Sequence, residues 1–263
     1  MAGAHEGRVA MNEHLRPREA AASVALLVAV LALWWAASHG GWVSRVFLPT
    51  PEATWSSLVE GLAGEWLGFA ASTVQRMVLG FGLAAAAGVL IGVAIGSSTT
   101  LREWIGPTLE FMRPLPASAV LPLAISLFGL SAGMVLAVVA FGAMWPVLLA
   151  TLHGLASVHE RLREVARSLE LSRTAFVLRI GLPHALPDIL AGLRLALTVS
   201  LIVSVVGEMI ASQSGLGQAV LLAARSFRAS ELFAGIILLG ALGFASNALL
   251  ALAERRLLRW QRR

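Results

Sequence analysis

The sequence predicts an all-α polytopic membrane protein with six transmembrane helices, and two observations carry that expectation. Of the 263 residues, 57% are hydrophobic and only 13% charged. A soluble domain carries about 25% charged residues, so the surface of this chain cannot be mostly wetted. The apolar residues also fall in blocks free of Asp, Glu, Lys and Arg, covering residues 20–44, 77–101, 114–159, 195–207, 209–224 and 232–253. A helix needs about 20 apolar residues to cross the hydrocarbon core, which most of these blocks supply.

The first two blocks hold one span each, and 20–44 is too long for the core of a secretory signal. Between them Trp55, Leu58, Val59, Leu62 and Trp66 recur at helical spacing. That pattern predicts a short amphipathic helix on the outer membrane surface, its tryptophans at headgroup level. The second span carries Gly80, Ala84, Gly88, Gly92 and Gly96 in one row, a stripe that lets another helix approach closely. Block 114–159 suffices for two spans if it turns once, and Gly129 and Gly133 offer the turn. A fifth helix is expected from about Asp188 to Ala211, followed by a loop, and block 232–253 makes the sixth.

Arginine placement sets the sides. With the N-terminus inside, the cytoplasmic segments hold fourteen arginines: 8, 16, 18, 102, 161, 163, 167, 173, 179, 255, 256, 259, 262 and 263. The outer loops hold three, Arg45, Arg225 and Arg228. Positive charge stays on the cytoplasmic side, so both termini are expected there. The layout is a tail over 1–19, a transmembrane domain over 20–253 and a basic tail over 254–263.

Absences exclude much chemistry. The chain has no Cys, which removes disulfides and thiolate sites together. It has no Lys, so it lacks the residue a Walker A loop uses to hold terminal phosphates. An intramembrane serine hydrolase needs a His base within a span, and no His follows His184. The run from His159 to Arg163 is not HExxH, because Arg163 stands where the second His would be. The net charge of +5 is not gathered into one basic domain, so no nucleic-acid partner is expected. No cofactor is expected either.

The segment 151–187 is too polar for the membrane and too patterned for a linker. Leu155, Val158, Leu162, Val165 and Leu169 form an apolar stripe at helical spacing. Glu160 with Arg163, and Glu164 with Arg167, are spaced to pair along the helix. Ser172 is placed to cap a second short helix running to about Gly181, which Pro183 and Pro187 then end as they open the fifth span. Such a hairpin either folds back on the bilayer or docks a cytosolic subunit.

Glu164-Val165-Ala166, then Glu170, then Ile180-Gly181-Leu182-Pro183 resembles the "EAA" loop of membrane subunits in binding-protein-dependent ABC importers. Val165 and Glu170 depart from that pattern, standing where the family has alanine and glycine. Leu48-Pro49-Thr50-Pro51, Arg113-Pro114-Leu115-Pro116, Gly192-Leu193-Arg194 and Gly207-Glu208 look like the nitrate/taurine/sulfonate branch. The resemblance covers roughly residues 48–255. It implies a type I importer permease fold, a homodimer, a cytosolic ABC ATPase and an extracytoplasmic solute-binding protein, in a bacterial cytoplasmic membrane. It implies a coupling loop at about 154–183 that inserts into a groove of the ATPase, with Glu164, Ala166, Arg167, Glu170, Ile180, Leu182 and Pro183 as the coupling residues. The implied cargo is a small anionic solute, with an ATP-independent transporter or channel as the alternative. A glycine at position 170 would adopt a positive φ readily, so Glu170 must avoid that conformation or carry its strain.

Ionisable groups inside spans are candidates for function because burying an unpaired charge is costly. Glu208 is read either as a pathway or gate residue, or as a structural partner of Arg76 or of backbone near Ser214 and Gly215. Arg113 is expected to pair with Glu110, and Arg194 to snorkel inward or brace the coupling loop. Pro116, Pro122 and Pro146 are placed to kink helices and free carbonyls beside a pathway.

Overall fold

The computed structural model describes residues 17–112 and 115–258. Among these there are eleven α-helices and no strand. Helix α1 covers Pro17–His39, α2 Pro51–Ala63 and α3 Trp66–Gly96. Helices α4 (Thr99–Met112), α5 (Leu121–Phe128) and α6 (Ala132–Ala156) follow. Then come α7 (Glu160–Ser168), α8 (Arg173–Phe176), α9 (Leu182–Ala211), α10 (Leu216–Arg225) and α11 (Ala229–Leu257).

Five stretches are long and apolar enough to cross a membrane: Ala21–His39, Trp66–Gly96, Ala132–Ala156, Arg173–Ala211 and Ala229–Leu257. The remaining expected span is divided. Its pieces are a 3-10 turn at Ala117–Val120 and α5, which together make the shorter apolar helix Ala117–Phe128, and α4 precedes them. Proline explains the division, since it removes an N–H and clashes with the preceding turn. Pro107 lies inside α4, Pro116 precedes the 3-10 turn, and Pro122 opens α5. The expected turn is present at Gly129, whose φ of +65° suits glycine. The expected Glu110–Arg113 pair lies outside the described residues.

Helices α3, α6 and α9 form the centre. Along α3 the small-residue stripe meets α6 as its spacing predicts. A Cβ at Gly88 would stand 2.7 Å from Val147 Cβ and 2.9 Å from the Met144 carbonyl oxygen. A Cβ at Gly92 would stand 2.7 Å from Thr151 Cβ. On α9, a Cβ at Gly192 would stand 2.6 Å from Ala150 Cβ and 2.8 Å from the Pro146 carbonyl oxygen. Backbones approach this closely only where one side has no side chain.

Helices α1 and α11 bury little of their length inside the protein, as lipid-facing helices do. The Trp34 indole N–H donates to Pro49 O at 2.9 Å, and its ring stacks on Phe233 at 5.8 Å. The amphipathic helix between the first two spans is α2, capped by the Thr50 hydroxyl, which accepts from the Ala53 N–H at 3.2 Å. It buries Thr54 and Leu58 and exposes Trp55, while Trp66 belongs to the next helix.

Candidate functional site

The hairpin between α6 and α9 differs from its expected form in three ways. First, the stripe is split. Helix α6 ends at Ala156 and α7 begins at Glu160, so Leu155 and Val158 are buried while Leu162, Val165 and Leu169 stay exposed. The His159 imidazole accepts from the Arg161 N–H at 3.2 Å and starts the new helix. Arg163 then holds the end of α6. Its Nε donates to Val158 O at 3.3 Å, and its Nη2 to Leu155 O and Ala156 O, both at 3.2 Å. The Leu155 and Ala156 carbonyls lie in the last turn of α6 and have no intrahelical partner, and Val158 follows in the link to α7.

Second, Arg167 reaches Glu160 at 3.6 Å rather than Glu164, and Glu160 lies 4.0 Å from Arg163. Glu164 is left exposed on the outer face. Third, the prolines do not break the chain. Ser172 caps α8 as expected, accepting from Ala175 N at 3.2 Å. A widened π turn at Val177–Gly181, which contains Ile180, then runs directly into α9. Pro183 falls in the first turn of α9, where an N–H is not required.

Ala166 is buried against the body of the protein, and Glu170 adopts φ +50° in the turn after α7. Glu170 therefore carries the left-handed backbone that the glycine of the resembled motif would adopt freely. Such a residue is strained by about 1–3 kcal/mol.

A cleft of about 590 Å³ opens between α6 and α9. Pro146 forms part of its wall, and Leu115 and Ala117, either side of Pro116, lie at its edge. Pro122 and Glu208 do not line it. Sequence reasoning missed Trp145, His153 and Asp188, which do. The Trp145 indole N–H is buried and has no hydrogen-bond acceptor among the described residues.

Glu208 sits elsewhere, fully buried. Arg76 Nη1 donates to its Oε1 at 2.7 Å and also to Ser214 O at 2.7 Å. The Thr73 hydroxyl donates to Oε2 at 3.0 Å, and Gly217 N donates to Oε2 at 2.9 Å. Thr73 in turn accepts from Leu216 N at 2.9 Å. A side chain at Gly215 would overlap the carboxylate. The expected Arg76 pair is present, while the backbone donor to Glu208 is Gly217 N at the start of α10 rather than the loop at Ser214 and Gly215. Arg194 pairs with Glu254 on α11, and no brace from it to the coupling loop is formed among the described residues.

Residues 84–259 match the family described as the inner membrane component of binding-protein-dependent transport systems. The chain belongs to this family. Its curated relatives include a Bacillus subtilis protein named as an aliphatic sulfonates transport permease, SsuC, 35% identical over 88% of this chain and 84% of that one. The taurine transport system permease protein TauC of Escherichia coli is 32% identical over 92% and 90%. The nitrate import permease protein NrtB of Leptolyngbya laminosa is 32% identical over 71% and 67%. Among solved structures, one described as an amino acid ABC transporter with histidines superposes with a TM-score of 0.60. At 22% identity, covering 76% of this chain and 97% of that one, it shows the fold alone.

The permease is thus the membrane subunit of an ABC importer, of the nitrate/taurine/sulfonate branch, with the type I importer fold. It is not an enzyme, which agrees with a sequence that lacks any lysine for a Walker loop. ATP hydrolysis belongs to a separate subunit.

Proposed function

We propose that this permease carries a small anionic solute, a sulfonate or a nitrate-like ion, across a bacterial cytoplasmic membrane. The solute is delivered by an external binding protein. Two copies form the pathway in the lipid bilayer, with both termini cytosolic and the short tails outside the 20–253 transmembrane domain. The names of the relatives support the solute class, and the arginine asymmetry supports the orientation.

The hairpin is the seat of ATPase coupling. One observation carries this: α7 buries Ala166 inward and turns Leu162, Val165 and Leu169 outward, with Glu164 beside them. An exposed apolar helix face of this kind marks a partner surface. Ile180, Leu182 and Pro183 make the stiff return that transmits its movement into α9, and Arg167 and Glu170 fix the turn. In the pathway, Pro146 and Pro116 shape the cleft, Pro122 starts its neighbouring helix, and Glu208 latches the outer ends of α3 and α9.

Co-purification of the ATPase subunit tests the coupling surface. A Leu162→Asp, Val165→Asp chain changes only exposed positions, so it folds. It should lose the ATPase that the wild type retains. Equal recovery from both would remove α7 as the docking surface.

A further inference from the structure

On the inward face of the hairpin, opposite Glu164 and Val165, lies a pocket of about 200 Å³. Three arginines line it, Arg163, Arg167 and Arg173, and among the described residues no carboxylate does. Arg163 is engaged by helix-end carbonyls and Arg167 is 3.6 Å from Glu160. Arg173 is exposed and has no ion pair or side-chain hydrogen bond among the described residues. Apolar side chains, among them Phe176, Leu155 and Val177, form the floor.

The pocket's position matters as much as its charge. Its far wall is Gly96 and Ser97, where α3 ends. Helix α4 starts directly after, and exposes Trp104 and Phe111, at 80% and 75% of their surface. Tryptophan on an exposed amphipathic helix settles at the membrane interface. Leu90, on the last turns of α3, is also 71% exposed and offers a path for an acyl chain. Basic pockets between helices on the inner side of a membrane suit anionic headgroups.

We propose that this pocket binds the phosphate of an anionic phospholipid headgroup, with Arg173 as its free cationic contact. A free phosphate shares the charge but has no chain to lie along α3. An acidic segment of the ATPase would meet the outer face of α7 instead. The site rests on the hairpin facing the inner leaflet, as the coupling reading has it.

Native mass spectrometry of the full-length chain in detergent tests it, with phosphatidylglycerol, phosphatidylcholine and inorganic phosphate as probes. Phosphatidylglycerol should be retained over phosphatidylcholine. Arg173→Gln should weaken that binding roughly fivefold. Arg179→Gln, an exposed arginine outside the pocket, should leave it unchanged. Equal binding of the two lipids, or an unaffected Arg173→Gln variant, overturns the proposal. Displacement by inorganic phosphate alone assigns the pocket to a free anion and overturns the lipid source. Loss of the ATPase with lipid retained in Arg173→Gln assigns the arginine to protein docking and overturns it too. Binding in detergent is blind to sidedness. The orientation is read separately, by labelling a Ser168→Cys variant of this cysteine-free chain from either side.

Discussion

Three donors converge on the Glu208 carboxylate, from Arg76, Thr73 and the Gly217 backbone, and none of its surface reaches solvent. Removing one partner of a buried ion pair leaves an uncompensated charge, at a cost of about 3–5 kcal/mol. Glu208→Ala should therefore lower the thermal unfolding midpoint in detergent sharply. Glu208→Gln should fall between it and the wild type, because an amide still accepts from Thr73 or Gly217. If Glu208→Ala unfolds at the wild-type temperature, the latch contributes nothing. Glu170 gives a second prediction at this scale. Its φ of +50° is one that glycine adopts without strain. Glu170→Gly should match or exceed the wild type in stability by up to about 1 kcal/mol, and Glu170→Val should fall below both. The pairing of Glu208 with Arg76 was legible in the sequence, because few charges lie inside spans and each must find a partner. Thr73 was not, since a hydroxyl within an apolar run has no pattern that separates a bridging role from a back-bond to its own helix.

Helix packing was largely legible where small residues recur. The row on α3 announced a close partner, and α6 fills that place. Gly88→Leu should disrupt the α3–α6 contact at a cost of about 1–3 kcal/mol or more. At Gly82 an added Cβ would meet nothing within 4 Å among the described residues, so this position should accept alanine without loss. Comparing the two variants by thermal unfolding separates packing from helix propensity. Two features of element boundaries were not legible. Helix α10 was expected as loop, although Leu216, Val220 and Ala223 carry the spacing of a buried face. The glycines around Leu216 masked that signal, because they mark a turn as readily as a close approach to Glu208. The return of the hairpin was expected to break at Pro183 and Pro187. It stays helical because a π turn takes up the mismatch before the first proline.

At the scale of the whole molecule, the hairpin, the α6–α9 cleft and the Glu208 latch lie on one connected path, because α9 runs from the first to the last. In the coupling proposed above, a push on α7 would pass through the π turn into α9, a helix 30 residues long. The composition and the charge-free blocks sufficed to predict that such spans exist. Which faces meet across the bundle had to come from three-dimensional packing, since α6 is apolar on every side. The central claim is that ATP drives solute import through this hairpin. Its most direct test is uptake of labelled taurine into proteoliposomes holding the permease, its ATPase and its binding protein. Wild type should accumulate taurine only with ATP inside the compartment that faces the ATPase, and the Leu162→Asp, Val165→Asp chain should not. Uptake that proceeds without ATP, or that survives both substitutions, would contradict the account.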